Sequence, residues 1–353
     1  MAHDIAVIPG DGIGREVVPA AQRVLDAAAS SRGVELRWHP VDWSCEHYLR
    51  AGEMMPSDGL DQLRMRDAIF LGAVGYPGVP DHISLWGLLI PIRRAFRQRV
   101  NYRPIRLFPG LESPLRGVGP DSLDFVVVRE NNEGEYSEIG GRLYQGMDEE
   151  IAVQESVFTR RGVSLVMRYA FELARTRRGT LVSATKSNGI IHTMPFWDEL
   201  FGELSAEYAD VRTSAYHIDA LSALFVSNPS SLDVVVASNL FGDILSDLGA
   251  AVAGSIGIAP SANLDPTRTH PSMFEPVHGS APDIAGQGIA NPIGQIWSGA
   301  LMLEHLGHAQ AATAVMDGLA AVLAQGAPRT PDLGGTGSTD EVTEAVIAAL
   351  PQP

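Results

Sequence analysis

Asp243 and Asp247, in the segment LDVVVASNLFGDILSDLGAAVAG from Leu232 to Gly254, are the side chains whose spacing most directly suggests chemistry. The run Val234 to Val236 reads as a strand buried on both faces. After Asn239 the apolar residues recur at helical spacing, so the two carboxylates fall one turn apart on one helix face. Like charges at that spacing cost an isolated helix roughly 0.2–0.5 kcal/mol. Solvent and the positive end of the helix dipole could relieve the repulsion, and so could a hard divalent cation, which takes oxygen donors. The pair alone leaves both readings open. Asp219, in AYHIDAL between a short strand and an apolar helix, adds a third donor of the same kind.

Arginines supply the complementary charge. Arg93, Arg94, Arg97, Arg99 and Arg103 fall within eleven positions of an otherwise acidic chain. A solvated helix face accounts for Arg94, Arg97 and Arg99. Arg93 and Arg103 are better placed for a carboxylate clamp, because a guanidinium fork binds carboxylate bidentately and Arg103 is expected at an element boundary. Arg129 and Tyr136 follow the strand Phe125 to Val128, in a polar, glycine-rich loop that can aim both at a cleft. Lys186 directly follows the strand Thr180 to Thr185, where desolvation or a neighbouring cation would lower its pKa toward general-base work, although strand-end lysines are usually solvated. His278 has no second histidine or cysteine at ligand spacing, which favours a cofactor contact over a metal.

These residues need a scaffold that brings them together. Ile5 to Ile8 reads as a buried strand, PGDGIG as a turn, and the following residues to Ser30 as a helix. Further strands are expected near Val34 to Trp38 and Ala68 to Leu71, and a helix from about Thr159 to Arg178. Strands alternating with helices imply an α/β protein with a mainly parallel or mixed sheet and helices on both faces. Gly10, Gly12 and Gly14 give GxGxG and not GxGxxG, so the first turn reads as a tight βα turn more readily than as a dinucleotide fingerprint. The stretch from His278 to Asn291 has little periodicity but keeps Ile284, Ala285 and Ile289, which marks a shaped functional loop. A helix is expected from about Ile293 to Leu306.

Composition excludes several classes. A 353-residue chain that is 45% hydrophobic and 19% charged is a globular protein with room for two lobes. Its formal net charge of −16 argues against nucleic acid or an anionic membrane as partner. A single cysteine, Cys45, excludes an internal disulfide. No apolar stretch is long enough to span a bilayer, and the amino terminus lacks a signal pattern, so the cytoplasm is the expected compartment.

Taken together, IPGDGIG, NYRP, VRENNEGEY, TKSN, HIDA, NLFGDILSDL and FEPVHGSAPDIAGQGIANP resemble, in order and over nearly the whole chain, the isocitrate and 3-isopropylmalate dehydrogenases. DWSCEHYLRAGEMMP and VPDHISLWGLLIPIRR are similar to the branch that contains tartrate dehydrogenase and decarboxylating D-malate dehydrogenase. The resemblance implies a two-lobed isopropylmalate dehydrogenase-like fold, with residues 1–98 plus 255–353 forming a large lobe that carries most of the NAD site. Residues 99–254 would form a small lobe carrying the metal ligands and the interface of a homodimer. It implies that Arg93, Arg103 and Arg129 hold substrate carboxylates and that Trp86 and Leu89 also contact the substrate. Asp219, Asp243 and Asp247 would ligate Mg²⁺ or Mn²⁺, with Asp219 and Lys186 reaching the site from the neighbouring subunit. Tyr136 and Lys186 would be the acid–base pair. His278, Gly279, Ser280, Ala281, Asp283 and Asn291 would contact NAD, Asp283 on the ribose hydroxyls, and a monovalent cation such as K⁺ completes the implied cofactors.

The expected reaction is therefore oxidation of a small 2-hydroxy dicarboxylate, D-malate or tartrate, with decarboxylation. Three rivals differ from it. 3-Isopropylmalate dehydrogenase usually presents a glutamate where Trp86 stands, and an indole there should fill the space of the missing isopropyl group. Isocitrate would need a serine at the position of Gly87. A metal-dependent hydrolase or carboxylate-binding protein without redox chemistry would use the aspartates and arginines but leave the 278–291 loop without a purpose.

Overall fold

In the computed structural model, which describes residues 1–352, one ten-stranded sheet organises the chain. The strands are β1 (Ala2–Gly10), β2 (Glu35–Pro40), β3 (Ala68–Ala73), β4 (Val100–Arg106), β5 (Asp124–Glu130), β6 (Gly140–Leu143), β7 (Ile151–Gln154), β8 (Thr180–Thr185), β9 (Arg212–His217), β10 (Val234–Ala237), β11 (Pro260–Leu264) and β12 (Ser272–Pro276). Their order is β2-β1-β3-β12-β11-β4-β5-β10-β8-β9, while β6 and β7 pair only with each other. Pairing is parallel toward both edges, but β11 runs antiparallel to β12 and β4, and β4 antiparallel to β5. The sheet is thus mixed, with its antiparallel part at the centre, where the chain leaves one half through β4 and returns through β11. No helix among the described residues is long and apolar enough to cross a membrane.

The apolar runs explain the layering. Ile69, Phe70, Leu71, Val126, Val127, Val128, Val234, Val235 and Val236 are fully buried, as strands covered by helices on both faces require. One large cluster of buried side chains packs the helices Gly14–Ser30, Ile293–His305 and Ala309–Gln325 on one half of the sheet and Arg160–Thr176 and Thr193–Glu207 on the other. A smaller cluster around Trp43, Met54, Leu88 and Phe96 lies across the sheet from the first. The β6–β7 ribbon differs: every residue of both strands is exposed, including Leu143, Ile151 and Val153. A two-stranded ribbon is marginal alone, and its apolar surface is without a cover in the single chain.

Two glycines set close approaches on which the site depends. Gly12 has φ +53°, and a Cβ there would lie 2.0 Å from the carbonyl oxygen of Ser280, which accepts a 2.8 Å hydrogen bond from the Ile13 amide. The first turn is therefore packed against the 278–291 loop, in line with its reading as a tight turn. Asp11 reinforces it by accepting from the amides of Cys45 (3.0 Å) and Gly75 (3.1 Å). Gly242, in the helix Asn239–Val252, lies over β5, where an added Cβ would stand 2.6 Å from Cβ of Arg129. A glycine within a helix costs about 0.5–1 kcal/mol relative to alanine, and here that cost is offset by letting Asp243 reach the strand. Gly242→Ala should therefore lower stability by about 1–3 kcal/mol through overpacking despite alanine's better helix propensity. Urea unfolding measures this, and a stabilised variant would contradict the packing argument.

Candidate active site

A cavity of about 170 Å³ opens beside the antiparallel centre of the sheet, lined by Leu85, Ile90, Arg93, Arg94, Arg103, Arg129, Asn131, Asn132, Tyr136, Asn239 and Asp243. Four guanidinium groups on one small cavity define its chemistry: it takes anions, and its size, below the roughly 300–1,000 Å³ of drug-sized pockets, suits a compact dicarboxylate.

Each arginine is held by a different element. Arg93, on the helix Ile90–Ala95, pairs with Glu275 of β12 at 2.7 Å, and its buried Nε has no partner among the described residues. Arg103 sits in the middle of β4 and not at the element boundary expected of it. Its Nε donates to Asn101 (2.5 Å), and its Nη1 to Ser246 (2.5 Å) and Asp243 (3.0 Å). Arg129, near the end of β5, donates through Nε and Nη2 to Asn239 and through Nη1 to Asp243. Burial and the neighbouring Arg103 draw the pKa of Arg129 down to about 10, with Asp243 opposing, so the group stays charged at neutral pH. Beneath them lies a buried amide network. Asn263 donates to Glu275 (2.7 Å) and accepts from Asn101 (2.9 Å) and Asn131 (2.8 Å), which connects the Arg93 and Arg103 ends of the cavity.

Asp243 is the anion at the centre of this cage. Burial pushes its carboxyl up, but Arg129, Arg103 and the Tyr136 hydroxyl outweigh burial and hold it below the ordinary value. Tyr136 donates to it at 3.1 Å, and burial together with that carboxylate raises the phenol. Asp247, one turn further along, is held 3.8 Å from Arg103, and burial raises its carboxyl. The bland reading of the pair as a solvated face thus fails for Asp243.

Other expected residues lie elsewhere in the chain. Lys186 and Asp219 do not line the cavity; they pair with each other at 2.6 Å on an exposed surface, where the lysine holds the Asp219 carboxyl low. Among the described residues no group of three His, Cys, Asp or Glu side chains is gathered as a metal would need. Trp86 and Leu89 also fall outside the lining, which Leu85 and Ile90 supply instead. Residues 85–89 form a single π-type turn, whose i→i+5 spacing puts Leu85 and Ile90 on one face, and helical periodicity in the sequence carries no sign of it. Gly87 faces Met54, with only 2.7 Å between an added Cβ and its Cγ. Arg94 lines the cavity and does not belong to the solvated face that its helical spacing predicts. Asn101, Asn263 and Glu275 escaped the sequence reading because polar residues within strands signal a buried network only once their partners across the sheet are known.

The 278–291 loop lies against the first turn. Glu16 accepts from the amides of Gly286 (2.6 Å) and Gly288 (2.9 Å), and Ala281 adopts φ +39°, a strained value for a residue with a side chain. His278 is buried, its Nδ1 is 3.0 Å from the Gly279 carbonyl, and its Nε2 has no partner among the described residues. Burial lowers its pKa below the ordinary histidine value. Ser280 is engaged through its carbonyl with Ile13, Asn291 through its amide with Asp332 (2.9 Å) and Ile293, and Asp283 is exposed with its side chain unengaged.

Ten-stranded mixed sheet, arginine-lined cavity and ordered motifs together define one class of protein. The chain belongs to the isocitrate/isopropylmalate dehydrogenase family, whose model matches residues 4–346. It is 57% identical over 354 residues to the decarboxylating D-malate dehydrogenase of Escherichia coli, with 98% of each chain covered. It is 55% identical over 349 residues to a probable tartrate dehydrogenase/decarboxylase of Bacillus subtilis, again with 98% of each covered. Its fold matches that of isocitrate dehydrogenase from Methylococcus capsulatus with a TM-score of 0.89 at 35% identity, over 99% of both chains.

Glu130, at the end of β5, adds a buried carboxyl that accepts from the amides of Asn132 (2.9 Å) and Glu133. Burial raises its pKa from 4.5 to about 7. Between those values the folded chain keeps a proton that the unfolded chain has released, so the stabilisation is complete below the unfolded pKa and is lost as pH rises through about 7. Glu130→Gln removes this titration. The stability of the variant relative to the parent should rise with pH across that window, by up to about 3 kcal/mol. A difference in urea unfolding that does not change with pH would refute the assignment.

Proposed function

We propose that the chain is an NAD⁺- and divalent-metal-dependent dehydrogenase that converts D-malate to pyruvate and CO₂ and also oxidises tartrate. The observation that carries this reading is the convergence of Arg93, Arg103, Arg129, Tyr136 and Asp243 on a cavity small enough for a four-carbon dicarboxylate. The 51–57% identity to curated tartrate and D-malate dehydrogenases supports the same substrates.

The donor sets suit the cofactors. Asp243 and Asp247 offer the hard oxygen ligands that Mg²⁺ or Mn²⁺ takes, with Asp219 of a second subunit as the third. The orphaned Nε2 of His278, the strained Ala281 and the unengaged Asp283 suit the 278–291 loop to NAD⁺. When bound, the cation acidifies a hydroxyl and neutralises negative charge that develops on oxygen, while the nicotinamide takes up hydride. Arg93, Arg103 and Arg129 hold the two carboxylates and fix C2 for loss of hydride, and Leu85 and Ile90 exclude water. Lys186 of the second subunit takes the proton of the C2 hydroxyl, giving the 2-keto acid. The bond from C3 to the remote carboxylate then breaks, CO₂ leaves, its electrons pass to the enolate of pyruvate, and Tyr136 delivers a proton to C3.

The family division into lobes, 1–98 with 255–353 and 99–254, agrees with a chain that leaves through β4 and returns through β11. A homodimer is supported by the apolar β6–β7 ribbon and by the exposed Ile191, Val226 and Ile244, which lie near Lys186, Asp219 and Asp243 in sequence. Asp283 would repel a 2′-phosphate, so NAD⁺ is preferred over NADP⁺.

A panel of D-malate, both tartrates and 3-isopropylmalate with NAD⁺ and Mn²⁺, followed by the absorbance of reduced nicotinamide, tests the activity. D-malate or tartrate should be turned over and 3-isopropylmalate only weakly, and silence on all small 2-hydroxy acids would sink the reading. Mixed heterodimers of inactive Lys186→Ala and Tyr136→Phe chains should regain activity, since one of the two sites would then hold both intact residues. No recovery would mean that each chain supplies its own lysine.

A further inference from the structure

Arg94 has no assigned role, yet it touches both sides of the cavity. Its guanidinium lies 5.0 Å over the Trp86 ring, its Nη2 donates to the backbone carbonyl of Tyr136 at 3.2 Å, and its Nη1 pairs with Glu138 at 2.5 Å. Trp86 and Arg94 belong to the helical segment before β4, and Tyr136 and Glu138 to the loop after β5, so one side chain spans the two elements that flank the substrate.

The π-type turn makes this contact possible. Eight residues of a regular helix would leave Trp86 and Arg94 about 80° apart around the axis. A turn closed i→i+5 rotates less per residue and brings them back toward one face. The indole then supplies a flat surface on which a planar guanidinium is held by cation–π attraction. Glu138 is largely exposed, so the ion pair itself adds little. The bond to the Tyr136 carbonyl matters more. Near the tyrosine the loop is otherwise held by Gln154, which donates to the carbonyls of Ser137 (2.8 Å) and Glu135 (3.3 Å), and by the Glu135 carboxylate, which accepts from Ser238 Oγ (2.8 Å) and the Leu240 amide (3.1 Å); neither tie reaches the helical segment that carries Trp86.

The geometry points to Arg94, stacked on Trp86, as a positioning residue that ties the Tyr136 backbone to the opposite wall of the cavity and so sets where the phenol meets the substrate carbon. This rests on the reading of Tyr136 as the proton donor. It also assigns Trp86 a role in holding Arg94 and not in contacting the third substituent of the substrate.

The test compares parent, Arg94→Ala, Arg94→Lys and Trp86→Ala, with thermal unfolding as a folding control. With D-malate, NAD⁺ and Mn²⁺, Arg94→Ala should lower kcat by roughly tenfold or more with little change in KM, since small misplacements of a catalytic group act on the chemical step. Trp86→Ala should give a similar loss that is not additive with Arg94→Ala. Arg94→Lys should recover little, because an ammonium cannot stack and donate in two directions as the fork does. A rise in KM at constant kcat would make Arg94 a substrate ligand and overturn the positioning role. Amide hydrogen exchange gives a readout independent of turnover: Arg94→Ala should speed exchange of residues 131–139 while leaving β8 and β10 unchanged. Unaltered exchange in that loop overturns the proposal whatever the activity, whereas a parent chain silent on D-malate and tartrate overturns only the functional reading.

Discussion

Burying three guanidinium groups around one cavity is the constraint on which the rest of the site depends. Arg93, Arg103 and Arg129 are each less than a tenth exposed, and a buried charge is tolerated only when it is paired and hydrogen-bonded. Asp243 and Asn239 of one helix, Glu275 of β12 and Asn101 of β4 meet that demand. Because Arg93 keeps an unpartnered Nε and Asp243 holds only part of the charge of two arginines, positive charge remains for an anionic ligand. The arrangement is one of prepaid desolvation: the groups that would bind carboxylates are already out of water and oriented before any substrate arrives.

The mixed centre of the sheet follows from the same demand. Parallel strands packed between helices carry near-continuous apolar runs, as β3 and β10 do. The four central strands β12, β11, β4 and β5 instead place Glu275, Asn263, Asn101, Arg103 and Arg129 toward the cavity side, where Glu275, Asn263 and Asn101 bond across the antiparallel pairings and the two arginines reach the helix Asn239–Val252. The helix Asn239–Val252 closes the layer from above, and its glycine at 242 lets it sit close enough for Asp243 to enter the cage. The result is a polar seam through the middle of an apolar sheet, flanked by the two elements that Arg94 joins.

Much of the architecture was legible from residue patterns. The β-branched run at Val234, the helical phase that puts Asp243 and Asp247 one turn apart, and the strand Thr180–Thr185 depend on local periodicity, and the structure reproduces all three. GxGxG reads as a turn, and the packing of Gly12 on Ser280 explains why glycine stands there. The family resemblance likewise rests on motif order, and order is a property of the sequence alone.

What the sequence by itself determined, then, was the class of the protein, many of its strands and helices, and most of the residues able to do chemistry. Only the tertiary structure decided which of them meet. Arg103 belongs in the sheet interior because its partners lie on β4 itself and on the helix Asn239–Val252; Arg94 left the solvated face because a π-type turn aligned it with Trp86; Lys186 and Asp219 found each other and not the cavity. Periodicity reports the environment of one face of one element, whereas a site is a set of distances between elements far apart in the chain. Those distances are set by packing and by the need to pair every buried charge.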